Sequence, residues 1–154
     1  MFDTQNTVRI SIVSSGDYRQ SEVKVELGPV QFASFNTLNT AIDGMTWWGG
    51  TTALAGAVIA ATNQFDTSDD VNDVMIVLTD GIDGDLDPLR TACANAQSDG
   101  ITIIAVGYEI HHGIFMETLK DIANNIEENV FRASGNEALV ALQETLFQAT
   151  CNVG

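Results

Sequence analysis

The chain has 154 residues, 45% of them hydrophobic, enough for one domain with a substantial core and too few for two comfortable ones. Six Lys+Arg against 21 Asp+Glu leave a formal net charge of -15, which repels phosphate backbones and anionic lipid heads and excludes nucleic acid and membrane surfaces as natural partners. No run approaches the roughly 18 apolar residues of a membrane span, and the N-terminus lacks the basic-then-apolar pattern of a signal peptide, so a single soluble unit over 1–154 without membrane insertion is expected.

From the N-terminus, VRISIV (8–13) is a short β-branched run, SSGDYRQS supplies turn chemistry, and EVKVEL (22–27) alternates charged and apolar residues. That pattern predicts a hairpin whose second strand is half exposed, an antiparallel edge strand. Phe32, Phe35, Leu38 and Ile42 then fall at helical spacing, and after WWGG and two threonines so do Leu54, Val58, Ala61 and Phe65. VMIVLT (74–79) and ITIIAVG (101–107) are apolar on both faces, as befits strands in the covered middle of a parallel sheet. Between them Leu86, Leu89, Cys93 and Ala96 mark a helix, with Asp87-Pro88 as its start and Gly100 as its stop. Ser134-Gly-Asn-Glu137 fits a capping box ahead of a final helix carrying Leu139, Leu142 and Leu146. Strands alternating with helices imply an α/β domain, three layers with a mostly parallel central sheet, one antiparallel edge strand and helices on both faces.

In such sheets ligands collect beyond the carboxyl ends of the strands. VMIVLT runs straight into DGIDGDLD, which places Asp80 at that edge, followed by Asp83, Asp85 and Asp87. Asp87 reads as the cap of the following helix, and Asp83 and Asp85 as solvated loop charges. The stretch is no EF-hand: it follows a buried strand and has no glutamate at the twelfth position. Upstream, Gly49 and Gly50 let the backbone turn tightly, and Thr51 offers a hydroxyl either to a hard cation or, as an ordinary N-cap shared with Thr52, to the free N–H groups of the next helix.

GGTTALAGAV followed about thirty residues later by an apolar strand ending LTDG resembles the von Willebrand factor A domain. The likeness extends over essentially the whole chain: MFDTQNTVRISIVSSGD is similar to the end of that family's first helix and its second strand, SDGITIIAVGY to its strand before the sixth helix, and the segment from Leu119 to Cys151 to its C-terminal third, most closely in the extracellular-matrix and collagen-associated style. The resemblance implies a Rossmann-like fold with a metal-ion-dependent adhesion site built from three loops. Thr51 and Asp80 match its second and third loops as metal ligands, while the Asp-x-Ser-x-Ser of the first loop occurs nowhere in the sequence. By alignment that loop, the usual first strand and most of the first helix would precede Met1. Loss of a central strand would open two rows of buried backbone groups, so a truncated chain, or a segment supplied from elsewhere, is expected. Asp66-Thr-Ser-Asp-Asp70 has a superficially similar composition but falls after a helix, at the other end of the sheet.

The resemblance therefore implies a non-enzymatic, secreted adhesion module. It would bind a protein ligand, of extracellular-matrix or collagen-like kind, through Mg2+ or Mn2+ held weakly or not at all by this chain alone. Trp47, Trp48 and Gly50 beside the site are candidate ligand contacts, tryptophan being a common hot-spot residue. His111 and His112 lack further ligands at zinc spacing and read as solvated loop residues. Cys93, in the small-residue run TACANA, reads as a buried thiol; Cys151 is open to pairing with Cys93, with a cysteine of a longer parent chain, or with none. Two other functions compete. One is an intracellular scaffold of the kind found in chelatase-type ATPase assemblies. The other is a phosphoryl-transfer domain with Asp80 as nucleophile, opposed by the absence of an Asp-x-Asp-x-Thr order, of a lysine after the 101–107 strand, and of any nucleophile elbow or P-loop.

Overall fold

The computed structural model describes residues 10–15, 21–25, 35–45, 53–66, 72–81, 85–108 and 116–151. Contacts divide the chain into two compact units, Met1–Phe65 and Asp66–Gly154. The expected hairpin opens the first unit. Strands β1 (Ile12–Ser15) and β2 (Ser21–Val25) pair antiparallel, with Ser15 opposite Ser21 and Val13 opposite Val23. Beyond Val13 the register shifts so that Ile12 faces Val25, an irregularity that strengthens local twist. Helix α1 (Phe35–Asp43) half-buries Leu38 and leaves Ile42 44% exposed, so the apolar stripe read from the sequence is covered only in part.

Helix α2 (Leu54–Thr62) packs on both strands of the hairpin and buries Leu54 and Val58, one turn apart, as their spacing predicts. Its N-cap position is Ala53, whose side chain has no oxygen to offer, so the residue preceding the helix is neither of the two threonines. At the other end the Thr62 hydroxyl donates to the Val58 carbonyl at 2.8 Å.

Among the described residues the second unit is built on a three-stranded parallel sheet in the order β3 (Val74–Thr79), β4 (Thr102–Tyr108), β5 (Val130–Ala133). Val74 pairs with Thr102 and Thr79 with Gly107, while Ala105 pairs with Val130 and Tyr108 with Ala133, so the strands end together at one carboxyl edge. Strand β4 is buried along Ile103–Gly107, as its continuous apolar run predicts. Strand β3 departs from expectation. Met75, Val77 and Thr79 are buried, but Ile76 and Leu78 stand 50% and 56% exposed. Ile76 and Leu78 share the face opposite Met75, Val77 and Thr79, so β3 is covered on one face only; among the described residues it is also an edge strand, paired with β4 alone.

Helices α3 (Leu86–Ser98) and α4 (Met116–Ile122) pack against β4 and against each other. Leu89, Ala92, Cys93 and Ala96 form the buried stripe of α3, and Leu119 and Ile122 that of α4; Ile101 and Ile104 are buried as well, in a core where each large side chain contributes about 1.5–3 kcal/mol. Gly100 stops α3 as expected: its φ of +90° suits a residue without Cβ, while the next amide, of Ile101, donates back to the Ala96 carbonyl. The end of α4 uses Asn124 and Asn125, at φ 51° and 63°, with the Asn124 side-chain amide donating to the Cys93 carbonyl of α3 at 3.1 Å. Helix α4 and strand β5, preceded by a 3-10 turn at Glu127–Asn129, had no periodic signal strong enough to be placed from sequence. The expected final helix is two, α5 (Asn136–Ala141) and α6 (Gln143–Cys151), meeting at Leu142. The capping box does not form: α5 is capped by Gly135 at φ +93°, with no side-chain hydrogen bond.

Cys93 is a free thiol with no exposed surface, in agreement with its reading as a core residue, whereas the side chain of Cys151 lies outside the described residues. Burial, and secondarily the charge of Asp121, pushes the Cys93 thiol up to about 11. In the unfolded chain it titrates near 8.5, so as pH rises past that value the unfolded state loses its proton first and stability falls. We expect denaturation midpoints to decline between about pH 8.5 and 11, less steeply in Cys93→Ala, and a thiol reagent at pH 8 to label Cys93 only upon unfolding. Gly100→Ala meets no atom within 4 Å but must adopt the left-handed conformation, so urea melts should show a loss of about 1–2 kcal/mol.

Candidate functional site at the carboxyl edge of the parallel sheet

The carboxyl edge begins with Thr79, which the strand's alternation places on the buried face with Met75 and Val77. A buried hydroxyl needs partners. Thr79 finds both on one residue: its Oγ1 donates to the Gly81 carbonyl at 2.5 Å and accepts from the Gly81 amide at 3.2 Å. This closes a tight turn around Asp80, which is exposed and, among the described residues, has no hydrogen-bond or ion-pair partner.

The following aspartates exchange the roles read from the sequence. Asp85, expected to be a solvated loop charge, is the N-cap of α3; with extended φ/ψ of -75° and 128° its Oδ1 accepts from the Asp87 amide at 3.1 Å. Asp87, expected to be the cap, sits in the first turn, where a negative charge favours the helix dipole, and takes Arg90 at 3.0 Å. The helix starts one residue before the Asp-Pro pair, because proline is tolerated anywhere in a first turn whose amides have no intrahelical partner. Arg90 also reaches Asp121 of α4 at 2.7 Å, fastening the two helices. The guanidinium pKa is raised, chiefly by the hydrogen bond to Asp121 and then by that to Asp87.

At the end of β4 the Tyr108 hydroxyl donates to the Asn136 side-chain oxygen at 2.5 Å, holding the start of α5 to the same edge. Neither Thr79 nor Tyr108 belongs to a motif legible in the sequence; the one signal for Thr79 is a lone hydroxyl closing an otherwise apolar strand. Thr51, Trp47, Trp48, Gly50, Asp83, His111 and His112 lie outside the described residues.

The donor chemistry suits a hard cation at one position. Asp80 is an uncommitted carboxylate facing solvent, whereas Asp85 and Asp87 are engaged by an amide and a guanidinium. No group of three or more His, Cys, Asp or Glu suited to holding an ion occurs among the described residues, so Asp80 is a lone candidate and not part of a described ligand set. Nor is any described helix long and apolar enough to cross a membrane.

A sequence model of the von Willebrand factor type A domain matches residues 2–145. Among solved structures, proximal thread matrix protein 1 from the mussel byssus superposes with a TM-score of 0.79 at 24% identity, over 93% of this chain and 35% of that one. A further structure of that protein, described as having a zinc occupied MIDAS motif, gives 0.78 at 23% identity over 93% and 35%. BatB, a conserved hypothetical protein from Bacteroides thetaiotaomicron, gives 0.68 at 14% identity, over 95% of this chain and 80% of that one. This chain thus spans about a third of the mussel protein's length. No characterised protein matches in a comparison of sequences.

The different commitments of the aspartates separate in a stability measurement. Asp85→Ala should cost about 1 kcal/mol in urea melts through loss of the helix cap, while Asp80→Ala should stay within about 0.5 kcal/mol of the parent.

Proposed function

The chain belongs to the von Willebrand factor type A domain family, and from that premise we propose that it is a single, non-enzymatic protein-binding domain whose Asp80 and Thr51 ligate a divalent cation, Mg2+ or Mn2+. The observation that carries the reading is Asp80 itself: a carboxylate at the carboxyl edge of a parallel sheet, exposed and unpartnered among the described residues, beside aspartates that are all otherwise engaged where described. Thr51 enters by its match to the family's GGT loop and supplies a second hard oxygen. When bound, such a cation offers an open coordination position to a carboxylate of a protein ligand. In this reading Asp80 contributes charge and Thr51, by the family's motif, a neutral hydroxyl, while Trp47, Trp48 and Gly50, next to Thr51 in the sequence, are the candidate ligand contacts. A low donor charge leaves the ion electrophilic toward a partner's acid group and makes its binding to this chain weak. The zinc described for the mussel protein's MIDAS motif supports a divalent ion as the family's currency. That protein's byssal source supports an extracellular role with a matrix or collagen-like partner.

A second reading, an intracellular scaffold subunit of an ATPase- or chelatase-type assembly rather than a secreted adhesion module, is compatible with the likeness to the bacterial protein BatB, of which this chain covers 80%. Both readings share the metal site and differ in the partner.

Titration with Mn2+ followed by NMR line broadening tests the shared site, because paramagnetic broadening reads even weak binding. Signals of Asp80 and Gly81 should broaden first, and Asp80→Ala and Thr51→Ala should each weaken the effect at least roughly tenfold, a cost seen even for outer-shell residues of metal sites. Uniform broadening across the acidic surface, indifferent to both substitutions, would sink the proposal.

A further inference from the structure

We infer that Thr79 is the positioning residue of this site: its buried hydroxyl, holding both backbone polar groups of Gly81, sets the turn from which the Asp80 carboxylate projects. The inference rests on the reading of Asp80 as a metal ligand and adds to it the group that aims that ligand.

Thr79 is only 5% exposed and closes a strand whose other residues are all apolar. Burial alone would favour valine, which has the same shape without a polar atom to satisfy. What the hydroxyl adds is specific. It donates to the Gly81 carbonyl and accepts from the Gly81 amide, so the two residues flanking Asp80 are bound directly to each other. The anchor lies in the core and the carboxylate in solvent, one peptide unit apart. The core therefore fixes the backbone at Asp80, and only the χ angles of its side chain remain free. The hydroxyl has a single proton, and that proton goes to Gly81. Thr79 thus orients Asp80 without donating to its carboxylate, and every oxygen lone pair of Asp80 stays available to an ion. Residues behind a metal ligand that fix its orientation are worth roughly 10–100-fold in affinity.

The test compares Thr79→Val, which keeps shape and burial but removes the hydroxyl, with Thr79→Ser, which keeps the hydroxyl; Thr79→Ala is a second hydroxyl-free variant if the valine variant does not fold. Mn2+ affinity, read by broadening at Asp80, should fall roughly 10–100-fold in the hydroxyl-free variants and return to near the parent value in Thr79→Ser. In the metal-free chain, hydrogen exchange at the Gly81 amide should accelerate in Thr79→Val and not in Thr79→Ser, while the core amides of β4 keep their protection. Parent-like Mn2+ affinity in a folded hydroxyl-free variant overturns the positioning role and leaves the metal site standing. A parent chain with no Asp80-dependent Mn2+ binding overturns the metal site and the positioning role together.

Discussion

Everything in the second unit follows from the burial of one strand. Ile103 to Gly107 of β4 have no polar side chain and no solvated face, so the strand must be flanked on both sides and covered above and below. Parallel pairing with β3 and β5 satisfies its backbone, and α3 and α4, packed against each other, supply cover on one face. Parallel pairing also requires each strand to start from the same end, which brings the end of β3, the end of β4 and the start of α5 to a common edge. The Thr79–Gly81 turn and the Tyr108–Asn136 hydrogen bond are two products of that one requirement.

Charge is distributed along that edge by competition. An acidic chain with few cations must decide which carboxylates receive a partner, and local geometry decides it. Asp85 is taken by the helix that follows it, and Asp87 and Asp121 share Arg90. Asp80 is withdrawn from this competition by the turn that holds it outward. An acidic composition is therefore a poor guide to a cation site; what distinguishes a ligand is a carboxylate that the fold leaves uncommitted.

How much of this was legible in the sequence depended on whether a residue's role is set by periodicity or by a single hydrogen bond. The stripe Leu89, Cys93, Ala96, the doubly apolar β4 and the hairpin rest on repeated patterns, the stop at Gly100 on a residue type with its own backbone preference, and all are present. The family resemblance, carried by GGTTALAGAV and LTDG, holds over residues 2–145. Single contacts were another matter. Asp85 and Asp87 are two residues apart, and a one-residue difference in where α3 starts exchanges their roles. Ser134 was read as a cap, yet Gly135 takes that position, with Asn136 drawn to Tyr108 instead. The outward face of β3 differs from expectation because an apolar side chain carries no mark of whether the face it stands on will be covered.

That outward face governs how the protein behaves in a test tube. Ile76 and Leu78 lie open on an uncharged stretch of strand, a surface that invites sticking, and what keeps molecules apart is the mutual repulsion of their surplus carboxylates. Repulsion of that kind fades in strong salt or in acid, while the grease remains. Concentrated stocks belong at neutral pH and modest ionic strength, and clouding on acidification would begin at this strand.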